Sequence, residues 1–196
     1  MDGTTRTNDT IPMGFGPPMS GLHVVLRPPV VTDRESRQAF GRHEEIQRMY
    51  GVPAPCTSAM SESEAERWFR SLGTDGTIEW VVEVASQMVG TARLHSFEER
   101  TSAKYAIGLF EPSRLGQGLG TEATTLIVGY AFDELGLQYV HLDVLEYNVR
   151  AIRCYSKVGF REVGRKPSGV VVDGNRVDDV VMAIAEEDFR AANPWS

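Results

Sequence analysis

The stretch from Phe110 to Gly136, FEPSRLGQGLGTEATTLIVGYAFDELG, constrains this chain more than any other. It ends an apolar run, Tyr105 to Phe110, turns at Glu111-Pro112-Ser113, and enters a loop with glycines at 116, 118 and 120. Leu119, Ala123, Leu126, Ile127, Tyr130, Ala131 and Leu135 then recur at offsets of three and four, one apolar stripe on a helix. Gly136 falls just past the expected helix end, where a left-handed residue is cheap for glycine. Strand, glycine loop and helix in that order make a place for a phosphate group. The first helical amides have no internal acceptors and lie at the positive end of the helix dipole. Glycines let anionic oxygens come close to the backbone.

Other readings of the loop fit less well. A P-loop needs Gly-Lys-Ser/Thr after its spaced glycines, and Gly120-Thr121-Glu122 supplies no lysine. Gly118-Leu119-Gly120 with Ala123 matches a dinucleotide fingerprint in part. That motif belongs to the first strand of a doubly wound domain, and here it sits past the middle of the chain. A tight turn of flexible glycines with no ligand is the plainest alternative.

At 196 residues, 41% of them hydrophobic and 24% charged, the chain has the material for one sizeable core. Its apolar runs are too short to span a membrane, and no amino-terminal signal pattern occurs, so a cytoplasmic protein is the expectation. The net charge of −7 disfavours nucleic acid as a partner and suits a cationic one. Cys56 and Cys154 lie far apart without CxxC or histidine spacing, so neither a disulfide scaffold nor a metal site is expected.

Residues 1 to 20, rich in Gly, Pro and Thr, read as a tail with little structure of its own. One domain is expected over residues 21–190, with a second tail at 191–196. Leu22 to Arg27 reads as a strand and Arg34 to Met49 as one helix, with a break from Gly51 to Pro55. Ser61 and Glu64 form a capping box that opens a helix through about Leu72. Ile78 to Ala85 and Met88 to His95 read as a hairpin joined at Ser86-Gln87. Val140 to Leu145 is a further strand. Asn148 caps a helix, Val149 to Val158, that stops at Gly159. A turn at Asp173-Gly174-Asn175 leads to a last strand, Val180 to Ile184. Strands interleaved with helices and hairpins give a mixed α/β (α+β) three-layer domain.

Two motifs together resemble one family. Leu115-Gly116-Gln117-Gly118-Leu119-Gly120-Thr121-Glu122-Ala123 and Asn148-Val149-Arg150-Ala151-Ile152-Arg153-Cys154-Tyr155-Ser156-Lys157-Val158-Gly159-Phe160 look like the pyrophosphate loop and the following helix of the GNAT superfamily of acetyl-CoA-dependent N-acetyltransferases. The branch containing the ribosomal-protein amino-terminal and spermidine acetyltransferases is the closer likeness. The family loop usually begins with Gln or Arg where Leu115 stands, with Arg114 one residue early.

The resemblance implies a central mixed, mostly antiparallel sheet with helices on both faces. Two parallel strands, Tyr105 to Phe110 and Val140 to Leu145, should splay apart and let the pantetheine arm pair with their free edges. Acetyl-CoA is then the co-substrate, with no metal. Its expected contacts are Leu109, Phe110, Leu115, Gly116, Gln117, Gly118, Leu119, Gly120, Thr121 and Asn148. A backbone amide near Leu109 or Phe110 should steady the oxyanion. Tyr155 is the expected general acid toward the CoA thiolate, because a phenol stays protonated at neutral pH. Arg150, Arg153 and Lys157 are candidates for the 3′-phosphate.

The general base stays open among His141, Asp143, Glu79, Glu83, His95 and a water. No covalent nucleophile is expected, and Cys154 reads as a small buried apolar residue. The acceptor is a primary amine, open between a protein amino terminus, a polyamine and a small-molecule or antibiotic amine, and its pocket should come from residues 34–72 and the turns at 96–102 and 167–173. No nucleic acid or membrane partner is expected, and a homodimer is compatible with the reading. The alternative from another class is a non-catalytic acyl-CoA-binding regulatory module.

Overall fold

The computed structural model describes residues 13–52, 56–74, 76–99, 101–172 and 174–194. Expectations for residues 1–12, 53–55, 173 and 195–196 lie outside them. The elements in order are β1 (Gly14–Phe15), β2 (Met19–Ser20), β3 (Val24–Arg27), α1 (Thr32–Phe40), α2 (Glu44–Met49), α3 (Glu62–Arg70), β4 (Thr77–Val84), β5 (Gln87–Glu98) and β6 (Ser102–Leu109). A 3-10 turn (Pro112–Arg114) leads to α4 (Leu119–Asp133), β7 (Tyr139–Leu145), α5 (Val149–Val158), β8 (Arg161–Val172), β9 (Asn175–Ala185) and α6 (Glu186–Ala192). The strands form one sheet in the order β2-β3-β4-β5-β6-β7-β9-β8, with β1 also paired to β4.

Pairing is antiparallel except for β1 with β4 and β6 with β7. The β6–β7 pair is short. It holds at Ser102↔Tyr139, Ala103↔Val140 and Lys104↔His141 and goes no further, whereas β6 stays paired with β5 as far as Leu109 and β7 with β9 as far as Leu145. The expected splay is therefore present.

Alternation along β4 shows how the layers are divided. Trp80 is fully buried, and its ring meets Tyr130 of α4 edge-on at 5.5 Å. Its neighbour Glu79 faces the other way and accepts the Gly73 N–H after α3 (3.0 Å). Helix α4 buries Leu119, Ala123, Ile127, Val128, Ala131 and Phe132 on one face of the sheet. The segment α1–α3 covers part of the other. There Phe110 meets Phe40 at 6.2 Å and Trp68 at 5.9 Å, and Asp33 takes two 2.8 Å hydrogen bonds from Arg27.

Four boundaries depart from the sequence reading. The helix expected over 34–49 is two helices, because Gly41 takes a positive φ and Arg42 leaves to pair with Glu64 of α3. The hairpin turns at Ala85-Ser86, both at positive φ, one residue earlier than expected. The domain continues past 190, since α6 buries Phe189 and the Asn193 amide donates to the Val158 carbonyl (2.9 Å). Residues 13–20, expected as tail, join the sheet. β1 continues the edge of β4 that β3 leaves open, and the Trp80 indole N–H donates to the Pro17 carbonyl (3.0 Å). A Cβ at Gly16 would stand 1.9 Å from the same indole, so only glycine lets this segment cover the tryptophan.

Removing residues 1–20 is expected to lower the melting temperature by roughly 5 °C or more relative to removing 1–12, because an indole and its N–H lose their cover. Equal melting temperatures for the two truncations would show that residues 13–20 add nothing to the core.

Candidate active site

A cavity of about 720 Å³ passes through the gap between β6 and β7. On the α4–α5 face its wall is the glycine loop, Asn148 and the inner side of α5. On the other face it is Ile46, Met49 and Tyr50 at the end of α2, Arg93, Asp143, Asp179, and Ser168 with Val170. Helix α4 follows β6 and α5 follows β7, so both helices begin where the parallel strands part.

The loop has the geometry of an anion site. Gly116 and Gly118 have φ of 74° and 84°, values that glycine adopts without strain. The first bond within α4 runs from Glu122 N–H to the Gly118 carbonyl (3.0 Å), so the amides of Leu119, Gly120 and Thr121 precede it and are open to a ligand. Arg114, Arg150, Arg153 and Lys157 also line this end. Arg150 pairs with Glu45 of α2 (2.7 Å), while Arg153 and Lys157 form no ion pair among the described residues. Those two are the cations left for a phosphate.

Helix α5 is set by its ends. The Asn148 side chain accepts the Ala151 N–H (3.2 Å), and Gly159 closes the helix at φ 116°. Cys154 Sγ lies 3.3 Å from Thr121 Oγ1, joining α5 to the first turn of α4. Burial pushes the Cys154 thiol up, away from thiolate character. Tyr155 is 7% exposed, held between the rings of Tyr105 (6.3 Å, 88°) and Phe160 (5.9 Å). Tyr105 is fixed in turn by the Thr124 hydroxyl at 3.0 Å. Burial, then Cys154 and Tyr50, push the Tyr155 phenol well above its ordinary value. Among the described residues its hydroxyl has no hydrogen-bond partner, and it faces the cavity.

Of the expected contacts, Leu109, Leu115, Gly116, Gly118, Leu119, Gly120, Thr121, Asn148 and Tyr155 line this cavity. Gln117 and Phe110 lie off it. The Gln117 amide folds back to donate to the Ser113 carbonyl (2.6 Å). Phe110 is a correction as an oxyanion donor, because its N–H is already given to the Val89 carbonyl of β5 (2.9 Å). Successive amides point to opposite edges of a strand, so the Leu109 N–H faces the gap instead.

The base candidates separate as well. Glu83 is paired with Arg27 (2.5 Å) and Glu79 is buried against Gly73. His95 is pushed down to about 4 by burial, Arg93 and Lys104, and neither it nor His141 lines the cavity. Asp143 does line it. Burial raises its carboxyl, but hydrogen bonds from Lys104 and Lys166 (2.6 Å for the latter) outweigh that and hold it below its ordinary value. Asp179 of β9, which the sequence reading missed, lines the same wall and is raised by burial and by Asp143. Tyr50 and Arg93 were missed too. Their only signal was position: Arg93 opposite Ala106 on the inner strands, Tyr50 just before a glycine at a helix end. Ile46, Met49, Tyr50, Ser168 and Val170, from two of the segments expected to bound the acceptor, line the other wall, and no described residue of 96–102 does.

Among the described residues no three His, Cys, Asp or Glu side chains gather as a metal site, and no helix is long and apolar enough to cross a membrane.

Residues 23–161 match the model of the acetyltransferase (GNAT) domain family. The probable N-acetyltransferase YjcK of Bacillus subtilis is 32% identical over 103 residues, 52% of this chain and 57% of that protein. The chain spans between 33% and 57% of the length of three curated relatives it matches. Two solved structures share the fold. Spermidine N-acetyltransferase from Vibrio cholerae, in complex with CoA and spermine, has a TM-score of 0.70 at 22% identity, covering 86% of this chain and 99% of that one. RimJ of Mycobacterium smegmatis, in complex with CoA-disulfide, has a TM-score of 0.67 at 23% identity, covering 87% and 86%.

Gly120 has the least strained backbone of the loop glycines, and a Cβ there would meet only Cys154 Sγ, at 3.4 Å. Gly120→Val is expected to leave the melting temperature within a few degrees while weakening acetyl-CoA binding by about 10²-fold or more, since it adds bulk beside the open amides of Leu119 to Thr121. Calorimetric titration giving parent-like affinity would remove the loop from the binding site.

Proposed function

The chain belongs to the GNAT acetyltransferase family, and on that premise we propose that it moves an acetyl group from acetyl-CoA to a primary amine by direct attack. The observation that carries the reading is the cavity, which joins the open amides of Leu119 to Thr121 on one face of the sheet to an unpartnered tyrosine hydroxyl at the strand gap.

In this reading the pyrophosphate rests on the loop amides, with Arg153 and Lys157 beside it. The pantetheine arm lies in the gap, where its amides meet the free edges of β6 and β7 and the Asn148 side chain. The acceptor enters from the side of Tyr50 and Val170 as a free amine. Its lone pair forms a bond to the thioester carbon, and the carbonyl pair moves to oxygen. As that pair returns, the carbon–sulfur bond breaks and sulfur takes the phenolic proton of Tyr155. The amide nitrogen loses its extra proton to solvent, which restores the phenol. Burial raises the Tyr155 phenol, so the group arrives protonated at neutral pH, and its placement at the gap rather than its acidity supports the role. The two solved neighbours are complexes with CoA and spermine and with CoA-disulfide, which supports a CoA co-substrate and an amine acceptor. The acceptor is a small-molecule amine or a protein amino terminus.

Tyr155→Phe keeps the ring between Tyr105 and Phe160 and loses only the proton. With a panel of amines scored for thiol release, it is expected to lower the rate at saturation by roughly 10²–10⁴-fold and to leave acetyl-CoA affinity nearly unchanged. Retention of most of the rate would make the tyrosine structural, and a fall in both quantities would assign it to holding the pocket.

A further inference from the structure

Of the three tyrosines that line the cavity among the described residues, Tyr105 has its hydroxyl engaged by Thr124, and the mechanism so far uses one of the remaining two. The other belongs to Tyr50, the residue after α2, on the acceptor face. Its oxygen lies against Gly108 of β6, so close that a Cβ on that glycine would stand 1.8 Å from it. Only glycine leaves room there. The segment carrying it is clamped on both sides. The Tyr147 hydroxyl donates to the Arg48 carbonyl (2.5 Å), and Arg150 of α5 pairs with Glu45 (2.7 Å). Gly51, at φ 73°, fits where a Cβ would come 2.7 Å from Val170 and 3.2 Å from Leu145.

The Tyr50 side chain is therefore set in place. The residue is 55% exposed because it lines the open cavity, yet its hydroxyl end is deep enough among the strands that burial pushes its pKa up. It is a protonated donor at neutral pH. Among the described residues the hydroxyl has no hydrogen-bond partner. Beside it, the Leu109 N–H turns to the gap while Phe110 is engaged by Val89. A single backbone amide is a thin oxyanion site, and the tyrosine stands where a second donor belongs.

We propose that the Tyr50 hydroxyl, together with the Leu109 N–H, hydrogen-bonds the thioester carbonyl oxygen of acetyl-CoA and stabilises the negative charge that forms there during attack. The proposal rests on the acetyl-transfer reading. Tyr50 moves no proton. It donates one hydrogen bond that strengthens as the carbonyl pair reaches oxygen and weakens as the carbon–sulfur bond breaks.

The test compares the wild type, Tyr50→Phe, Gly108→Ala and the double variant. For Tyr50→Phe the rate at saturation should fall roughly 10²-fold, with the KM for the amine and the Kd for acetyl-CoA each within about threefold of the parent. Gly108→Ala should lower the melting temperature in the parent and cost clearly less in Tyr50→Phe, where the clashing oxygen is gone. That second readout needs no turnover. Three results overturn the proposal: a retained rate, a raised amine KM with the rate retained (Tyr50 then holds the acceptor), or equal cost of Gly108→Ala in both backgrounds. A wild-type chain that binds no acetyl-CoA overturns the acetyl-transfer reading and this proposal with it, a result distinct from a loss confined to Tyr50→Phe.

Discussion

The parting of β6 and β7 after three residue pairs is the constraint on which the rest of the site depends. Each strand is held along its other edge, β6 by β5 and β7 by β9, and those two ladders run to the strand ends. The sheet's twist then opens the inner pair toward their carboxyl ends. Unpaired strand groups in the interior are expensive, so a gap of this kind persists where a ligand or water satisfies them. Because the two strands are parallel, their carboxyl ends open on the same side. The helices that follow them, α4 and α5, must both start there. One topological fact brings an anion site, a capped helix and two free backbone edges to a single opening.

The parts of the site carried by local chemistry were legible in the sequence. Glycines at 116, 118 and 120, the Asn148 cap and the Gly159 stop are each decided within a few residues, and each appears where expected. The capping box of Ser61 and Glu64 is complete in the structure. What failed was decided at long range. Met13 to Ser20 has the composition of a coil, and two short pieces of it, Gly14–Phe15 and Met19–Ser20, pair with β4 and β3 while Pro17 covers the Trp80 indole. Gly41 alone did not announce a helix break, since one glycine inside a helical pattern is often tolerated. The direction of the Phe110 amide depends on where β5 ends, which no local pattern records.

Charge on the acceptor face is arranged so that the evident carboxylate is the less available one. His141 and Asp143 share a face, as alternation requires. Lys104 of β6 and Lys166 of β8 both reach Asp143. Burial is the largest single influence on Asp143 and raises it, but the hydrogen bonds and charges of the two lysines act together and outweigh it. Asp143 therefore remains an anion held by two cations. Burial, then the field of Asp143, raises Asp179, so the carboxylate that takes up a proton more readily is the one on the last strand.

The two hydroxyls at the gap lie on opposite faces of the sheet, yet they are referenced to the same helix. Tyr155 is part of α5. Tyr50 is tied to the entry of that helix through Tyr147 and Arg150, and it is pressed on Gly108 from above. Both groups are thereby referenced to α5, although one follows α2 and the other lies nine-tenths buried. In the proposed transfer, charge moves from a carbonyl oxygen to a sulfur, and donors for both atoms are then needed at a fixed separation. A loop alone could not hold that separation, because its residues move more freely than packed elements. Anchoring the acceptor-side tyrosine to the helix that carries the other one converts two independent side-chain positions into one.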